Sequence, residues 1–440
     1  MKGYLFVYTL TIIGILGSLF SPFLGICIYV LFGVMSPNAL WYYSLDESFL
    51  NCGLGFSEVV AYPMIIGWVL GHFGNLNIGK AMLPLACLIA YTLWVILSSL
   101  ATGWNYFGQA QILMNIRLLL AIVIALSLCD TVQRLRLLIW ILVFGSGFVA
   151  YELNMSYFQG FNRLQMIGYA GMDNNFFAVS MVVGAVLSFF TGISEKNIYL
   201  KALAFFVALL QAHVIMFSMS RGGMLGLCVA GFCTFVILPK TPINMTIFLV
   251  ALLVGISLAG PSVRERFFSA FANMEDLDGS AQSRLYSWKN CAIVMKERPL
   301  FGVGVKNWTS FSTGRFGIYL EAHSTWFQIA VDSGVPALLL VLGFFGFTML
   351  RLLPYLWERS VLPDPKLRIY AQMTVVAVLA YGVSAQFVSL YAMESVFYTI
   401  TVGMIVLKII GLDQEARSQR ETEELLAMQQ EMGYSNPIGY

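Results

Sequence analysis

Apolar residues run along this chain in windows separated by short polar connections. A helix that crosses a bilayer needs about 20 mainly apolar residues. The windows that reach or approach this length are 4–20, 22–36, 58–74, 81–101, 111–128, 137–151, 174–193, 200–218, 222–237, 244–260, 323–350, 369–388 and 391–411. The first two meet at Ser21-Pro22 and are either two short spans or one broken element. The pattern therefore predicts an all-α polytopic membrane protein with 12–13 transmembrane helices.

One long polar segment interrupts this series, from Pro261 to Ala322. Its 62 residues hold 8 of the 25 lysines and arginines. Between Ser280 and Leu320 six basic residues are set against a single acid, Glu297. A cationic pocket that closes onto a membrane surface suits a substrate that is a lipid with a phosphate head group.

The same pattern divides the chain into four parts. We expect an N-terminal transmembrane bundle over 1–260, a large loop over 261–322, C-terminal transmembrane helices over 323–411 and a charged tail over 412–440. The tail from Asp413 to Gln430 is charged and rich in helix-forming residues, which predicts a solvated helix after the last span.

Basic residues in the short connections predict the orientation. If the tail is cytoplasmic, 13 basic residues share its side, against only Arg163 and Arg221 in the opposite short connections. The segment 261–322 is too long for this rule to govern, and the alternation of spans puts it on the external side. The residues on the tail side are Lys80, Arg134, Arg136, Lys196, Lys201, Lys240, Arg351, Arg359, Lys366, Arg368, Lys408, Arg417 and Arg420.

Composition agrees with a membrane protein: 59% of the residues are hydrophobic and 11% are charged. The net charge of +2 gives no sign of a nucleic-acid partner. Three histidines and seven cysteines show no spacing typical of a metal site, so we expect neither a metal nor a cofactor. Cys52 and Cys291 both fall in predicted external loops, which is compatible with a disulfide. The first apolar stretch lacks the features of a cleaved signal peptide, so we expect it to be retained.

Arg163 and Arg221 depart from the orientation bias and fall on the same side as the large loop. Arg221 lies at the membrane boundary in a tight break, Ser-Met-Ser-Arg-Gly-Gly. A guanidinium can hold a phosphate with two hydrogen bonds, whereas the alternative is an arginine that only extends to the interface. Together with Arg284 and His323, these arginines form a candidate cluster on one membrane face.

His323 lies where hydrophobic sequence resumes after the loop, at the predicted start of a helix. The partial positive charge at a helix N-terminus disfavours a protonated imidazole. His323 is therefore a candidate proton acceptor near neutral pH, and the alternative is a histidine that caps the helix. His72 and His213 lie in or next to apolar spans without polar company and are expected to be structural.

Further polar residues are weaker candidates. Asp278 or Ser280 is able to cap a predicted helix that carries Arg284, although Asp276 and Asp278 also resemble the metal-binding pair of nucleotide-sugar transferases. Arg117 and Asp332 lie inside predicted spans and should face the protein interior, where Arg117 either contacts a lipid phosphate or pairs structurally. The run Asp173-Asn174-Asn175 precedes a span, so that Asp173 is expected to cap it and Asn175 to contact a polar substrate.

Several of these stretches resemble the O-antigen ligase and polymerase superfamily of bacterial envelope enzymes. They are Ser220-Arg221-Gly222-Gly223, Asp278-x-Ser280-x-x-x-Arg284-x-x-x-Trp288, Pro299-Leu300-Phe301-Gly302-Val303-Gly304, and His323-Ser324 followed after nine residues by Gly334. Ala337 stands where family members have a second glycine. The stretch through Ser36-Pro37-Asn38 and the Asp173–Asn175 run resemble the branch of O-glycosylation ligases associated with exosortase systems.

The resemblance implies a GT-C-like fold and metal-independent transfer of a glycan, with lipid, protein or glycan as acceptor. The donor would be a glycan on undecaprenyl diphosphate, at the periplasmic face of the bacterial inner membrane. Arg221, Arg284 and His323 would be catalytic, and Arg163, Asn175, Asp278 and Arg117 would bind substrate. The alternatives are a polysaccharide polymerase on the same lipid carrier, a transporter or flippase for an anionic solute, and a non-catalytic scaffold.

Overall fold

The computed structural model describes residues 2–40, 49–51, 54–103, 105–258, 265, 279–317, 319, 321–358, 360–389 and 393–431. Helices dominate these ranges, and the extended pairing within them is a single bridge between Tyr169 and Met172. The predicted all-α class is confirmed.

The helices have the following bounds, in chain order. They are α1 (Lys2–Phe20), α2 (Pro22–Met35), α3 (Pro37–Leu40), α4 (Phe56–Leu70), α5 (Met82–Thr102), α6 (Tyr106–Leu128), α7 (Val132–Phe158), α8 (Arg163–Ile167), α9 (Asn174–Ser194), α10 (Ile198–Phe217), α11 (Arg221–Ile237), α12 (Pro242–Leu258), α13 (Gly279–Glu297), α14 (Trp308–Phe316), α15 (Thr325–Ser333), α16 (Val335–Leu352), α17 (Lys366–Ser384) and α18 (Glu394–Glu431).

Within the described ranges, ten of the helical segments are long and apolar enough to cross a membrane. Helices α4 and α11 are shorter apolar helices, and α12 has 17 residues. The ten long segments and these three shorter helices coincide with the thirteen predicted windows, but only the ten, rather than the predicted 12–13, have the length and apolarity of membrane spans within the described ranges.

Helices α1 and α2 form an antiparallel hairpin, which decides between the two readings of the N-terminal windows. Val7, near the start of α1, packs in one cluster with Ile28 and Phe32 of α2. At the other end of α1, a Cβ on Gly17 would lie 2.6 Å from the Leu24 side chain. The chain therefore reverses at Ser21, and the two windows are two separate spans.

The sequence pattern predicts one helix over 323–350, but the structure has two. The window divides at Gly334 into α15 and the span α16, because Gly334 has a φ of +86° that interrupts the helix. Helix α15 is therefore a nine-residue helix outside the spans.

The bundle has two ends, which we call the site end and the tail end. At the site end, the Asn162 amide bonds to the Phe217 carbonyl and the Thr325 hydroxyl bonds to the Val388 carbonyl. The tail end is the opposite end, where α6 meets α7, α16 meets α17, and α18 extends away. The antiparallel order of the spans puts the start of α1 at the site end.

Basic residues of the predicted cytoplasmic side lie at the tail end. Lys80 Nζ bonds to the Tyr355 hydroxyl at 2.6 Å, and the Arg351 guanidinium donates to the Lys80 carbonyl at 2.5 Å. Arg136 forms a two-bond pair with Glu195, at 2.7 and 2.9 Å. These contacts join connections that the orientation rule placed on one side, and the fold brings them together as expected.

Helix α9 lies in the middle of the bundle, against α7, α10, α11 and α17. A buried network ties it to two neighbours: Gln211 on α10 donates to Ser146 Oγ and accepts from Ser188 Oγ, both at 2.9 Å. Polar side chains of this kind join helices inside a membrane, where apolar packing alone gives little preference for one partner. The network fixes the α9–α10 pair, whose site-end connections carry the candidate site.

Helix α18 continues from the last span into the tail without a break, through 38 residues. Its residues from Glu415 to Gln429 are exposed. The predicted helix after the last span is therefore an extension of that span rather than a separate element.

Candidate active site

Arg221 is the first residue of α11, directly after the break that ends α10. Ser220 caps α11 by accepting a hydrogen bond from the Gly223 N–H at 3.2 Å, as expected for serine before a helix. A Cβ on Gly222 would lie 3.0 Å from the Cβ of Phe387, so the backbone beside Arg221 packs closely on that ring. The arginine is therefore held in register at a helix N-terminus, where anions bind favourably.

Asparagine side chains brace this break from the connection that precedes α9. The Asn174 amide donates to the Ser218 carbonyl at 2.7 Å, and the Asn162 amide donates to the Phe217 carbonyl at 2.9 Å. Asn175 donates weakly to Asn174 Oδ1 at 3.4 Å. Asn174 therefore has a structural role, and the substrate contact of Asn175 stays a prediction.

His323 precedes α15 and is partly buried, with a φ of +49°. The residue that caps α15 is Ser324, whose hydroxyl accepts from the Phe327 N–H at 3.4 Å. The adjacent Thr325 hydroxyl donates to the Val388 carbonyl at 2.8 Å and anchors the first turn. Capping therefore does not account for His323, and the general-base hypothesis keeps its candidate.

The pKa of His323 is lowered, which favours the neutral imidazole that the sequence predicts, but the main cause is not the helix N-terminus. Burial is the largest cause of the lowered pKa, and the positive charge of Arg284 is the next. The Asp173 carboxylate acts in the opposite direction and raises the pKa. Arg284 and Asp173 therefore both lie within electrostatic range of His323, although they come from different segments of the chain.

Asp173 has a second role at the start of α9. Its carboxylate accepts a hydrogen bond from the Phe176 N–H at 2.8 Å, so the predicted helix cap is present. One carboxylate thus stabilises the helix and contributes negative charge beside His323.

Arg284 lies on α13, which packs against α15. The Ser287 hydroxyl donates to the Glu321 carbonyl at 2.8 Å, two residues before His323. Buried side chains from both ends of the loop form a small apolar core, comprising Cys291, Val294, Val303, Trp308, Ala322 and Val331. This core carries the arginine of the first part of the loop to the histidine at its end.

The Pro299–Gly304 segment is a turn that docks on the break between α15 and α16. The Val303 N–H donates to the Val331 carbonyl at 2.8 Å, and the Val335 N–H donates to the Pro299 carbonyl at 2.8 Å. A Cβ on Gly334 would lie 1.8 Å from the carbonyl oxygen of Leu300, so only glycine fits. The nine residues between Ser324 and Gly334 are the whole of α15, which sets the distance from His323 to the docked turn.

Asp332 is fully buried, as expected, but it lies on α15 rather than in a span. Its carboxylate accepts from the backbone N–H groups of Lys306 and Trp308, both at 3.1 Å, and from the Gln328 amide at 2.9 Å. These bonds hold the turn that leads into α14. Asp332 therefore stabilises the loop.

Arg163 lies at the site end, on α8. Its guanidinium donates to the backbone carbonyls of Ala39 and Leu40, the second at 3.3 Å, and lies 5.7 Å from the centre of the Tyr169 ring. These contacts brace α8 against α3. The assistance of Arg163 in diphosphate binding stays a prediction.

The position of Arg117 in a span predicts that it faces the protein interior, but the structure places it at the surface of the bundle. Its side chain is 49% exposed and pairs with Glu58 of α4, whose other carboxylate oxygen accepts the Gly55 N–H at 3.0 Å. The counter-charge of Glu58 explains why the arginine can remain at the bundle surface. A substrate contact for Arg117 stays a prediction.

Residues 204–342 match the family model described as O-antigen ligase. The matched segment contains Arg221, Arg284 and His323, the three predicted catalytic residues. It supports membership of the O-antigen ligase superfamily and a membrane glycan ligase- or polymerase-like function. No curated protein matches the chain.

Several predicted features lie outside what the structure or the O-antigen ligase match covers. Asp276 and Asp278 fall outside the described residues, as does Cys52, one half of the disulfide that the sequence allows with Cys291. Arg117, Arg163 and Asn175 precede the matched segment. In the described part of the chain, no group of three His, Cys, Asp or Glu side chains is arranged to hold a metal ion.

Two features of the site region escaped the sequence interpretation. The pKa of Glu321 is raised by desolvation, lowered by Lys306 and raised by Asp173, which places an acid and a lysine beside the segment that carries His323. His213 is not without polar company, since its Nδ1 lies 2.5 Å from Asn154 Oδ1. Both depend on residues distant in sequence, so no local pattern signals them.

Proposed function

We propose that this protein transfers a glycan from undecaprenyl diphosphate to an acceptor hydroxyl at the site end of the bundle. The observation that carries the proposal is the packing of α13 against α15, which puts Arg284 within electrostatic range of His323 inside the segment that matches the O-antigen ligase family. In this proposal, the site end is the periplasmic face of a bacterial inner membrane and the tail end is cytoplasmic. The parts 1–260, 261–322, 323–411 and 412–440 keep the roles that their composition predicts.

The diphosphate would lie between Arg221 and Arg284. Arg221 is fixed at the capped N-terminus of α11, and Arg284 reaches the site from the large loop. As the bond from sugar to phosphate breaks, negative charge grows on the leaving diphosphate. Two arginines already in position would stabilise that charge, and no metal would be needed. Arg163, Asn175, Asp278 and Arg117 remain proposed substrate contacts.

His323 would accept the proton of the attacking hydroxyl. Burial and Arg284 keep its imidazole neutral over a wider pH range than that of a free histidine. A positioned general base of this kind contributes about 10²–10⁴-fold to a rate. The proton would then leave the site through solvent at the site end, where the side chain is only partly buried.

Within the superfamily, we place the chain with the O-glycosylation ligases associated with exosortase systems. The stretches that support this are Ser36-Pro37-Asn38 and the Asp173–Asn175 run. This branch makes a protein hydroxyl one of the three acceptor classes to test, beside lipid and glycan.

The test is reconstitution of the purified protein in vesicles with labelled glycan on undecaprenyl diphosphate and each acceptor class in turn. We expect labelled product, and we expect Arg221→Ala, Arg284→Ala and His323→Ala to lower its rate by at least about 10²-fold. Arg315→Ala is the matched control, because Arg315 belongs to the same loop but pairs with the exposed Glu297. Full activity of the His323 variant would remove the general-base role.

The same assay separates the other functions. Growth of the lipid-linked glycan without transfer to a separate acceptor would identify a polymerase. Movement of the donor across the vesicle membrane without its consumption would identify a transporter or flippase. Binding of a partner protein with neither activity would identify a scaffold.

A further inference from the structure

Trp288 is the central member of an aromatic cluster beside the candidate site. Its ring lies nearly parallel to that of Phe327, with centroids 6.0 Å apart and an angle of 17° between the planes. It also meets the Phe387 ring at a centroid distance of 6.3 Å. Both distances lie in the range of favourable aromatic pairs. One side chain on α13 therefore contacts α15 and the turn that follows α17.

Each of these contacts leads to one of the proposed catalytic residues. Phe327 donates its N–H to Ser324, the cap that directly follows His323. Phe387 packs on Gly222, the residue after Arg221.

The third link lies within α13 itself. Arg284 precedes Trp288 by four residues, so the two side chains share one face of the helix. Trp288 thus contacts Phe327, which bonds to the residue after His323, and Phe387, which packs beside Arg221. It also shares a helix face with Arg284.

The indole nitrogen indicates what kind of role this is. It is buried, and it makes no hydrogen bond within the residues that the structure describes. A buried indole N–H usually has a partner, so burying this one without a partner among the described residues is unfavourable. The favourable interactions of Trp288 are instead its contacts with the two phenylalanine rings. A covered nitrogen is also poorly placed to bond to a substrate. Trp288 therefore acts through its neighbours.

We propose that Trp288 is a positioning residue that sets the spacing of Arg221, Arg284 and His323. This inference rests on the proposed function, which assigns those three residues to the reacting groups. A displacement of about 1 Å can lower a rate about 10²-fold, so a single supporting ring is enough to matter. The large loop would then reach the membrane helices in one defined register.

The experiment compares Trp288→Ala with Trp288→Phe in the reconstituted transfer assay. We expect Trp288→Ala to lower kcat about 10–100-fold while the donor KM changes less than about threefold. Trp288→Phe should stay within about threefold of the unchanged protein, because phenylalanine keeps an aromatic face toward both rings and removes the unpaired N–H. Trp68→Ala is the control for general destabilisation: it removes an indole that pairs with Phe73 and donates hydrogen bonds to the Phe73 carbonyl and Ser127 Oγ at the tail end.

A second readout does not depend on transfer. The chain has only three histidines, so His323 can be followed by NMR titration in each variant. Because Arg284 helps to lower the pKa of His323, loosening the spacing should raise that pKa toward its ordinary value in Trp288→Ala but not in Trp288→Phe.

The outcomes distinguish the two proposals. If the unchanged protein transfers no glycan, the proposed function fails, and the titration still decides the positioning role. If it transfers glycan and Trp288→Ala retains both its kcat and its His323 titration, the positioning role is wrong. Equal losses in Trp288→Phe, or in the Trp68 control, would reduce the effect to general destabilisation and overturn the inference.

Discussion

The backbone of Gly334 lies against the carbonyl oxygen of Leu300. A Cβ on residue 334 would lie 1.8 Å from that oxygen, and the φ of +86° is one that other residues rarely adopt. This contact joins the turn of the large loop to the break between α15 and α16. It therefore determines where the helix that begins beside His323 ends.

Gly334→Ala should separate the loop from the bundle. The backbone conformation and the overlap together should cost about 3 kcal/mol or more. We expect a lower melting temperature and loss of transfer, measured on the purified protein. Gly346→Ala on α16 is the control, since a Cβ there meets nothing within 4 Å. Equal stability of the two variants would contradict this account of the contact.

Asp173→Asn should shift the pH dependence of transfer. His323 must be neutral to accept a proton, and burial and Arg284 already place its pKa below 6.5. Asp173 raises that pKa, so removing its charge should lower it further and move the acid limb of kcat/KM to lower pH. Asparagine also caps helices, so stability should change little, whereas Asp173→Ala should lose about 1 kcal/mol. A shift of the limb to higher pH would exclude the assigned electrostatic role.

Arg221→Lys should weaken use of the donor although it keeps the charge. Lysine cannot form the two parallel hydrogen bonds of a guanidinium to a phosphate. We expect kcat/KM for the donor to fall about 10–100-fold, which corresponds to about 1.4–2.8 kcal/mol. The control is Arg315→Lys, which should stay within about twofold because Arg315 pairs with the exposed Glu297. Similar activity of the Arg221 and Arg315 variants would contradict the proposal that Arg221 binds a phosphate with two hydrogen bonds.

The pair formed by Arg117 and Glu58 can be tested by a double-mutant cycle. Arg117→Gln leaves Glu58 without its counter-charge and should cost about 1–3 kcal/mol, between the values for exposed and buried pairs. Adding Glu58→Gln should recover part of that loss, as judged by the melting temperature. Transfer by the stable double variant would make the pair structural. Loss of transfer at unchanged stability would instead support a substrate contact by Arg117.

Local patterns predicted the elements of the site better than their partners. The predicted Asp173 cap of α9 is present, and Ser220 caps α11, a position where serine is common although no cap was predicted there. The predicted neutral state of His323 agrees with its lowered pKa, but the local argument from the helix N-terminus missed the larger causes. The burial of His323 and its distance from Arg284 depend on how the large loop packs on the bundle, which the spacing of residues in the sequence does not reveal.

Errors in the spans arose where a distant contact changed a local preference. The apolar run through 323–350 continues past Gly334, but the helix breaks there because Gly334 has a positive φ beside the docked Leu300 carbonyl and Pro336 lies in the first turn of α16. The sequence predicts that Arg117 faces inward because a charge in a span is costly when it faces lipid. Its partner, Glu58, lies on another helix and makes an outer position tolerable.

The sequence by itself determined the all-α membrane class, because apolar runs of spanning length have few other stable arrangements in a bilayer. It also determined the predicted orientation and the small set of arginines and histidine worth testing. Tertiary structure decided the rest: the hairpin of α1 and α2, the division at Gly334, and the folding of the loop that puts Arg284 and Asp173 within electrostatic range of His323. These depend on contacts between residues far apart in the chain, whose free energy no local periodicity records.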